Sequence, residues 1–106
     1  MQTDSSSTIP SELLELRNRI DQIDEEIIAS LARRFAVTSK VGQLKADHGL
    51  DSVDPVREQQ KLERLRQLAE QNGLNSGFVH ELFQHLMDEV VRNHRSFLKN
   101  RKGSSA

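Results

Sequence analysis

From Ser11 to about His48 the chain keeps one helical pattern without a break, and this run constrains the fold more than any other feature. The apolar line starts at Leu13 and continues through Leu16, Ile20, Ile23, Ile27 and Leu31. Spacings of three and four residues resemble a coiled-coil seam. Ser11 is placed as the N-cap just before the apolar positions, and Gly49 as the C′ residue that stops the helix. At ~1.5 Å per residue such a helix exceeds ~50 Å, too long for a compact domain of this size. It must pack against another chain, or against the other helices end to end.

"HGLDSVDP" breaks the pattern. Asp54 has the character of an N-cap, with Pro55 at the first helical position. The second helix turns Leu62, Leu65, Leu68 and Ala69 inward, and Gly73 ends it. Asn75 caps the third helix, and Leu74 and Val79 have the spacing of a hydrophobic staple. The inner line of this helix is Val79, Leu82, Phe83, Leu86, Val90, Val91 and Phe97. With 2 Pro and no hairpin dipeptide, nothing points to a strand. The expectation is an all-α chain of three helices: residues 1–10 a flexible segment, 11–100 one domain, 101–106 a flexible tail.

Composition excludes several classes. The net charge of -1 carries no basic excess for nucleic acid. With no cysteine there is neither disulfide nor thiolate chemistry, which suits the cytoplasm. "MQTDSSSTIP" has no apolar core of a signal peptide, and no run approaches the ~20 apolar residues of a membrane span.

The informative residues are polar ones on apolar lines. Extended beyond Leu31, the first helix's line passes Arg34, then Val37 or Thr38, then Val41, then Lys45. Arg34 and Lys45 are eleven residues apart, which leaves them on one face, ~16 Å apart along the axis. Their long side chains can converge on one small anion. A lone cation would simply reach out to solvent. Two on one buried line, with Val37 and Val41 between, favour a ligand, because a buried charge is costly without a partner. Arg33, beside Arg34, points away.

Glu58 lies in line with Leu62, Leu65 and Ala69, though an acid in a helix's first turn is also favourable for its own sake. His94 follows Val90 on the inner face of the third helix, where a satisfied core histidine is the simpler expectation. Arg17 is rotated roughly 100° from Arg34 and lies ~25 Å away along the axis. It can serve the same pocket only from a second, antiparallel copy. Spacings of five and nine residues keep His80, His85 and His94 from forming a metal face.

"LRNRIDQIDEEII", "LARRFAVTSKVGQLK", "DPVRE" and "LFQHLMDEVVRNH", in this order and at these spacings, resemble the all-helical class of chorismate mutases. The resemblance covers roughly residues 12–98. It implies an intertwined homodimer with antiparallel first helices, each site taking Arg17 from the partner copy. It also implies the rearrangement of chorismate to prephenate, on the route to phenylalanine and tyrosine, with no cofactor and no metal. By resemblance, Arg34 and the partner's Arg17 clamp the substrate's two carboxylates. Lys45 donates to the ether oxygen, and Glu58 accepts from the ring hydroxyl with backbone near Asp54 assisting. Arg57 lines the site and positions Glu58. Two positions depart from the commoner pattern. Val90 stands where many members carry serine, and His94 where many carry glutamine or glutamate beside the ether oxygen. His94 is expected to be the second donor to that oxygen.

Two other activities share the fold. Isochorismate-pyruvate lyases lack the acid placed here at Glu58, so "DPVRE" favours the mutase. Amino-deoxychorismate mutases act on a substrate that differs in one ring substituent. A reading of another class is a non-catalytic helical dimer that serves as an interaction module. The inward cations argue against it.

Overall fold

The structure is a computed structural model that describes residues 9–51 and 53–105, and of 97, 98 and 100–105 the backbone alone. The described residues form three helices: α1 over Ser11–Asp47, α2 over Pro55–Gln71 and α3 over Ser76–Ser105. No strand occurs among the described residues. The chain divides into two compact units, Met1–Phe35 and Ala36–Ala106.

Local chemistry sets the helix ends. The first helical bond of α1 goes to the carbonyl of Pro10, which accepts from Leu13 at 3.0 Å and Leu14 at 3.3 Å. Pro10, not Ser11, therefore occupies the cap position. Proline is at no disadvantage there, because the cap's own N–H is not needed by the helix. At the other end Gly49 adopts φ 66°, the left-handed region that a side chain disfavours. Leu50 N–H then reaches the Lys45 carbonyl at 2.7 Å, and Gly49 N–H reaches that of Ala46 at 3.2 Å. This pair of bonds is a Schellman stop. Gly73 closes α2 in the same way at φ 69°, with Leu74 N–H on the Ala69 carbonyl at 2.8 Å.

The starts of α2 and α3 follow the sequence reading. Asp54 Oδ1 accepts from Arg57 N–H at 3.1 Å, with Pro55 at the first helical position. Asn75 Oδ1 accepts from Phe78 N–H at 2.9 Å. Both caps satisfy amides that the helix itself leaves unpaired.

In the second unit α2 packs along α3. Ala69, Val79 and Met87 are buried there, and Leu62, Leu65, Leu68, Phe83, Leu86, Val90 and Val91 are half-buried. Leu82, expected on the inner line, is exposed instead. Val79, Phe83, Leu86, Val90 and His94 share a narrow face at 3.6 residues per turn, and Leu82 falls about 90° from its centre. Met87 takes the inward place. The side chain of Phe97 lies outside the described residues.

The apolar line of α1 is a different case. Leu13, Leu16, Ile20, Ile23 and Ile27 are all exposed in the single chain, the last three at 56%, 52% and 51%. A coiled-coil seam of this kind is stable only when something covers it.

Candidate functional site

The second unit brings four of the sequence-selected residues onto three helices: Lys45 on α1, Glu58 on α2, and Val90 and His94 on α3. All but His94 are half-buried, and His94 is buried, with 5% of its surface exposed. The ring packs against α1 at Gly42. A Cβ built on Gly42 would lie 3.5 Å from His94 Cδ2 and 3.8 Å from its Cβ and Cγ. A longer side chain at 42 would occupy the space of the ring.

Gly42 also corrects the sequence reading of α1. Val37 and Val41, expected between the two cations, are exposed at 60% and 44%. The covered positions are Thr38, Gly42, Lys45 and Ala46. One further rotation of the helical stripe, by a fraction of a turn, accounts for the shift. Neither Gly42 nor Met87 was selected from the sequence. A glycine inside an otherwise unbroken helical pattern costs up to ~1 kcal/mol against alanine, so it signals a close packing partner.

His94 is the chemically informative side chain. Both ring nitrogens, Nδ1 and Nε2, are shielded from solvent and without a hydrogen-bond partner among the described residues. Buried polar atoms in native proteins nearly always have partners. Burial first, and then the charge of Lys45, push the imidazole below its ordinary pKa; Asp51 opposes them and Arg95 reinforces them. At neutral pH the ring is therefore uncharged, with one N–H to donate and one nitrogen to accept.

The other selected residues divide by role. The Asp54 carboxylate is spent on the cap of α2, and its carbonyl accepts from Glu58 N–H at 2.9 Å. This fixes the backbone of Glu58 in the first turn of α2. Arg57 is exposed. Arg17 and Arg34 belong to the first unit; Arg17 is exposed, Arg34 is half-buried, and its Nη1 is shielded from solvent. Arg33 is exposed and donates to Ser30 Oγ at 3.0 Å, pointing away as expected.

An open groove of about 370 Å³ runs between Gln59, Leu62 and Arg66 of α2 and Ser76, Gly77 and His80 of α3. Arg66 is engaged there with Glu63 at 2.5 Å and Glu70 at 2.7 Å, so its fork is not open to an anion. Among the described residues no three of His, Cys, Asp and Glu converge to hold a metal ion. Nor is any helix of the described residues long and apolar enough to cross a membrane.

The sequence family described as "Chorismate mutase type II" matches residues 16–95. The chorismate mutase of Methanocaldococcus jannaschii is 28% identical over 87 residues, which covers 82% of this chain and 88% of that protein. The T-protein of Haemophilus influenzae is 34% identical over 85 residues, or 80% of this chain and 22% of the relative. The bifunctional chorismate mutase/prephenate dehydratase of Escherichia coli K12 is 32% identical over 92 residues, or 87% of this chain and 24% of the relative. The chain thus spans about a quarter of the length of these last two relatives.

Proposed function

The chain belongs to the type II chorismate mutase family, and from that premise we propose that it catalyses the Claisen rearrangement of chorismate to prephenate. The observation that carries the proposal is His94: a buried ring with two hydrogen-bonding atoms lacking partners among the described residues, and within the field of Lys45. A small polar ligand seated there would satisfy the ring.

The reaction breaks an ether C–O bond and forms a C–C bond within one molecule. It needs no nucleophile and no obligatory proton transfer. The protein must hold the reactive conformer and stabilise charge that develops on the ether oxygen. Arg34 and the partner's Arg17 hold the two carboxylates, since a guanidinium fork bonds carboxylate bidentately. Lys45 and the neutral N–H of His94 donate to the ether oxygen from two sides. Glu58, fixed by the capped start of α2, accepts from the ring hydroxyl. Val90 supplies apolar wall and no hydrogen bond. Arg57 and the Asp54 backbone position Glu58.

The reading includes a homodimer along α1. Five apolar side chains from Leu13 to Ile27 are exposed in one copy and would be covered by a second. An antiparallel partner also supplies Arg17, which Arg34's own helix cannot bring to the same pocket. Residues 11–100 form the mutase domain, and the activity is placed in the cytoplasm.

Incubating the pure protein separately with chorismate and with isochorismate, then identifying the products, tests the activity. Prephenate from chorismate, with no salicylate from isochorismate, is the expected result. Salicylate would assign the lyase activity instead. No turnover of either, together with an Arg34→Ala variant more stable than wild type, would leave an interaction module.

A further inference from the structure

We propose that the cationic outer face of α3, through Arg95 and Lys99, concentrates the dianionic substrate at the site. This rests on the chorismate reading above and extends it to residues that do not touch the ligand. After Glu89 the sequence has no further acid, while Arg92, Arg95, Lys99, Arg101 and Lys102 follow. Arg92, Arg95 and Lys99 are spaced by three and four residues, so they form one stripe, and all three are exposed. Glu89 offsets Arg92 through an ion pair, which leaves Arg95 and Lys99 as the charges of the stripe without an ion pair among the described residues.

Two ordinary explanations fall short. Cations complement a helix macrodipole only within the last turn. α3 runs to Ser105, so Arg95 and Lys99 stand ten and six residues before its end. Pairing with acids along the helix is also excluded beyond Glu89, because there are none. What the charge of Arg95 does reach is His94. His94 is the neighbour of Arg95 in the chain, and the charge of Arg95 disfavours the protonated form of that ring. The same field that repels a proton attracts a carboxylate. Asp51 is the opposing charge and Lys45 the reinforcing one.

The size of the effect follows from geometry. Charges on the outer face of a helix lie about one helix diameter, ~10–12 Å, from a ligand on its inner face. For two unit charges acting on a dianion across water, Coulomb's law with ionic screening gives ~5-fold tighter binding at 10 mM salt. At 0.15 M salt it falls to ~2-fold.

The test is steady-state turnover of chorismate by the full chain carrying Arg95→Gln and Lys99→Gln, from low to high salt. The expected result is a KM raised ~5-fold at low salt, with kcat unchanged and the difference gone near 0.5 M salt. A charge-conserving variant, Arg95→Lys with Lys99→Arg, should retain the wild-type KM throughout. An unchanged KM at low salt overturns the proposal. So does a raised KM that persists at high salt, or a charge-conserving variant as impaired as the neutral one; either would mean a structural role. A wild-type chain that does not turn over chorismate overturns the activity reading itself, a failure distinct from a flat salt response.

Discussion

Replacing Gly42 by alanine should stabilise the protein, although the site is buried and borders the ring assigned to catalysis. The new Cβ would meet His94 Cδ2 at 3.5 Å and two further ring-side atoms at 3.8 Å, which is ordinary van der Waals contact. Glycine in a helix interior costs ~0.5–1 kcal/mol against alanine. Three added carbon contacts contribute ~0.1–0.2 kcal/mol each. Together they give about 1 kcal/mol. For a domain of this size that corresponds to a rise in Tm of ~4–8 °C. The assay is thermal unfolding at fixed protein concentration, because an associating chain has a concentration-dependent Tm. Since the ring need not move, kcat/KM should stay within ~2-fold of wild type, where a barrier change of under ~0.5 kcal/mol is involved. Gly42→Val is the contrast. Its branched methyls extend toward the same atoms, and overpacking costs ~1–3 kcal/mol. A lower Tm for Gly42→Ala would refute the reasoning, by showing that α1 and the ring lie closer than this geometry.

Other predictions address charge, capping and association. The imidazole of His94 is held below its ordinary pKa, so between that lowered value and ~6.5 the unfolded chain binds more protons than the folded one. The contribution is fully present above ~6.5 and is lost as pH falls through the folded value. Urea unfolding at stepped pH should therefore show wild type losing more stability on acidification than His94→Gln; parallel curves would contradict it. His94→Ala should lower kcat by ~10²-fold or less, the scale of removing one donor to developing charge, in a stopped assay of prephenate. Unaltered turnover would remove His94 from the mechanism. Asp54→Ala deletes the acceptor for Arg57 N–H and should cost ~1 kcal/mol by chemical denaturation. Ile23→Asp places a charge in the exposed seam of α1 and should shift sedimentation toward monomer and abolish turnover together. A folded, fully active monomer would exclude a trans role for Arg17.

Much of this was legible in residue order because it depends on neighbours in the chain. The start of α2 at Asp54 and Pro55, the cap at Asn75 and the stops at Gly49 and Gly73 need only backbone groups and short capping side chains three to five residues apart. Periodicity likewise carried Lys45, Glu58, Val90 and His94 to covered faces. It failed where two positions compete within a fraction of a turn. Val37 and Val41 looked inward because they are apolar, yet Thr38 and Gly42 hold those places. Leu82 lost its place to Met87 for the same reason. Hydrophobicity ranks side chains, but it does not set the rotation of a helix about its axis. The neighbouring surface does.

The sequence by itself determined an all-helical chain, its punctuation and the set of polar residues facing inward, because these follow from local bonding and a 3.6-residue repeat. Only the tertiary structure decided which inward polar group is buried with its hydrogen bonds unspent. Among the described residues that is His94, and it packs against Gly42 of α1, where there is room for no more than a small side chain. Close packing between helices far apart in sequence depends on shape in three dimensions, and no pattern along one strand of chain encodes which glycine meets which ring.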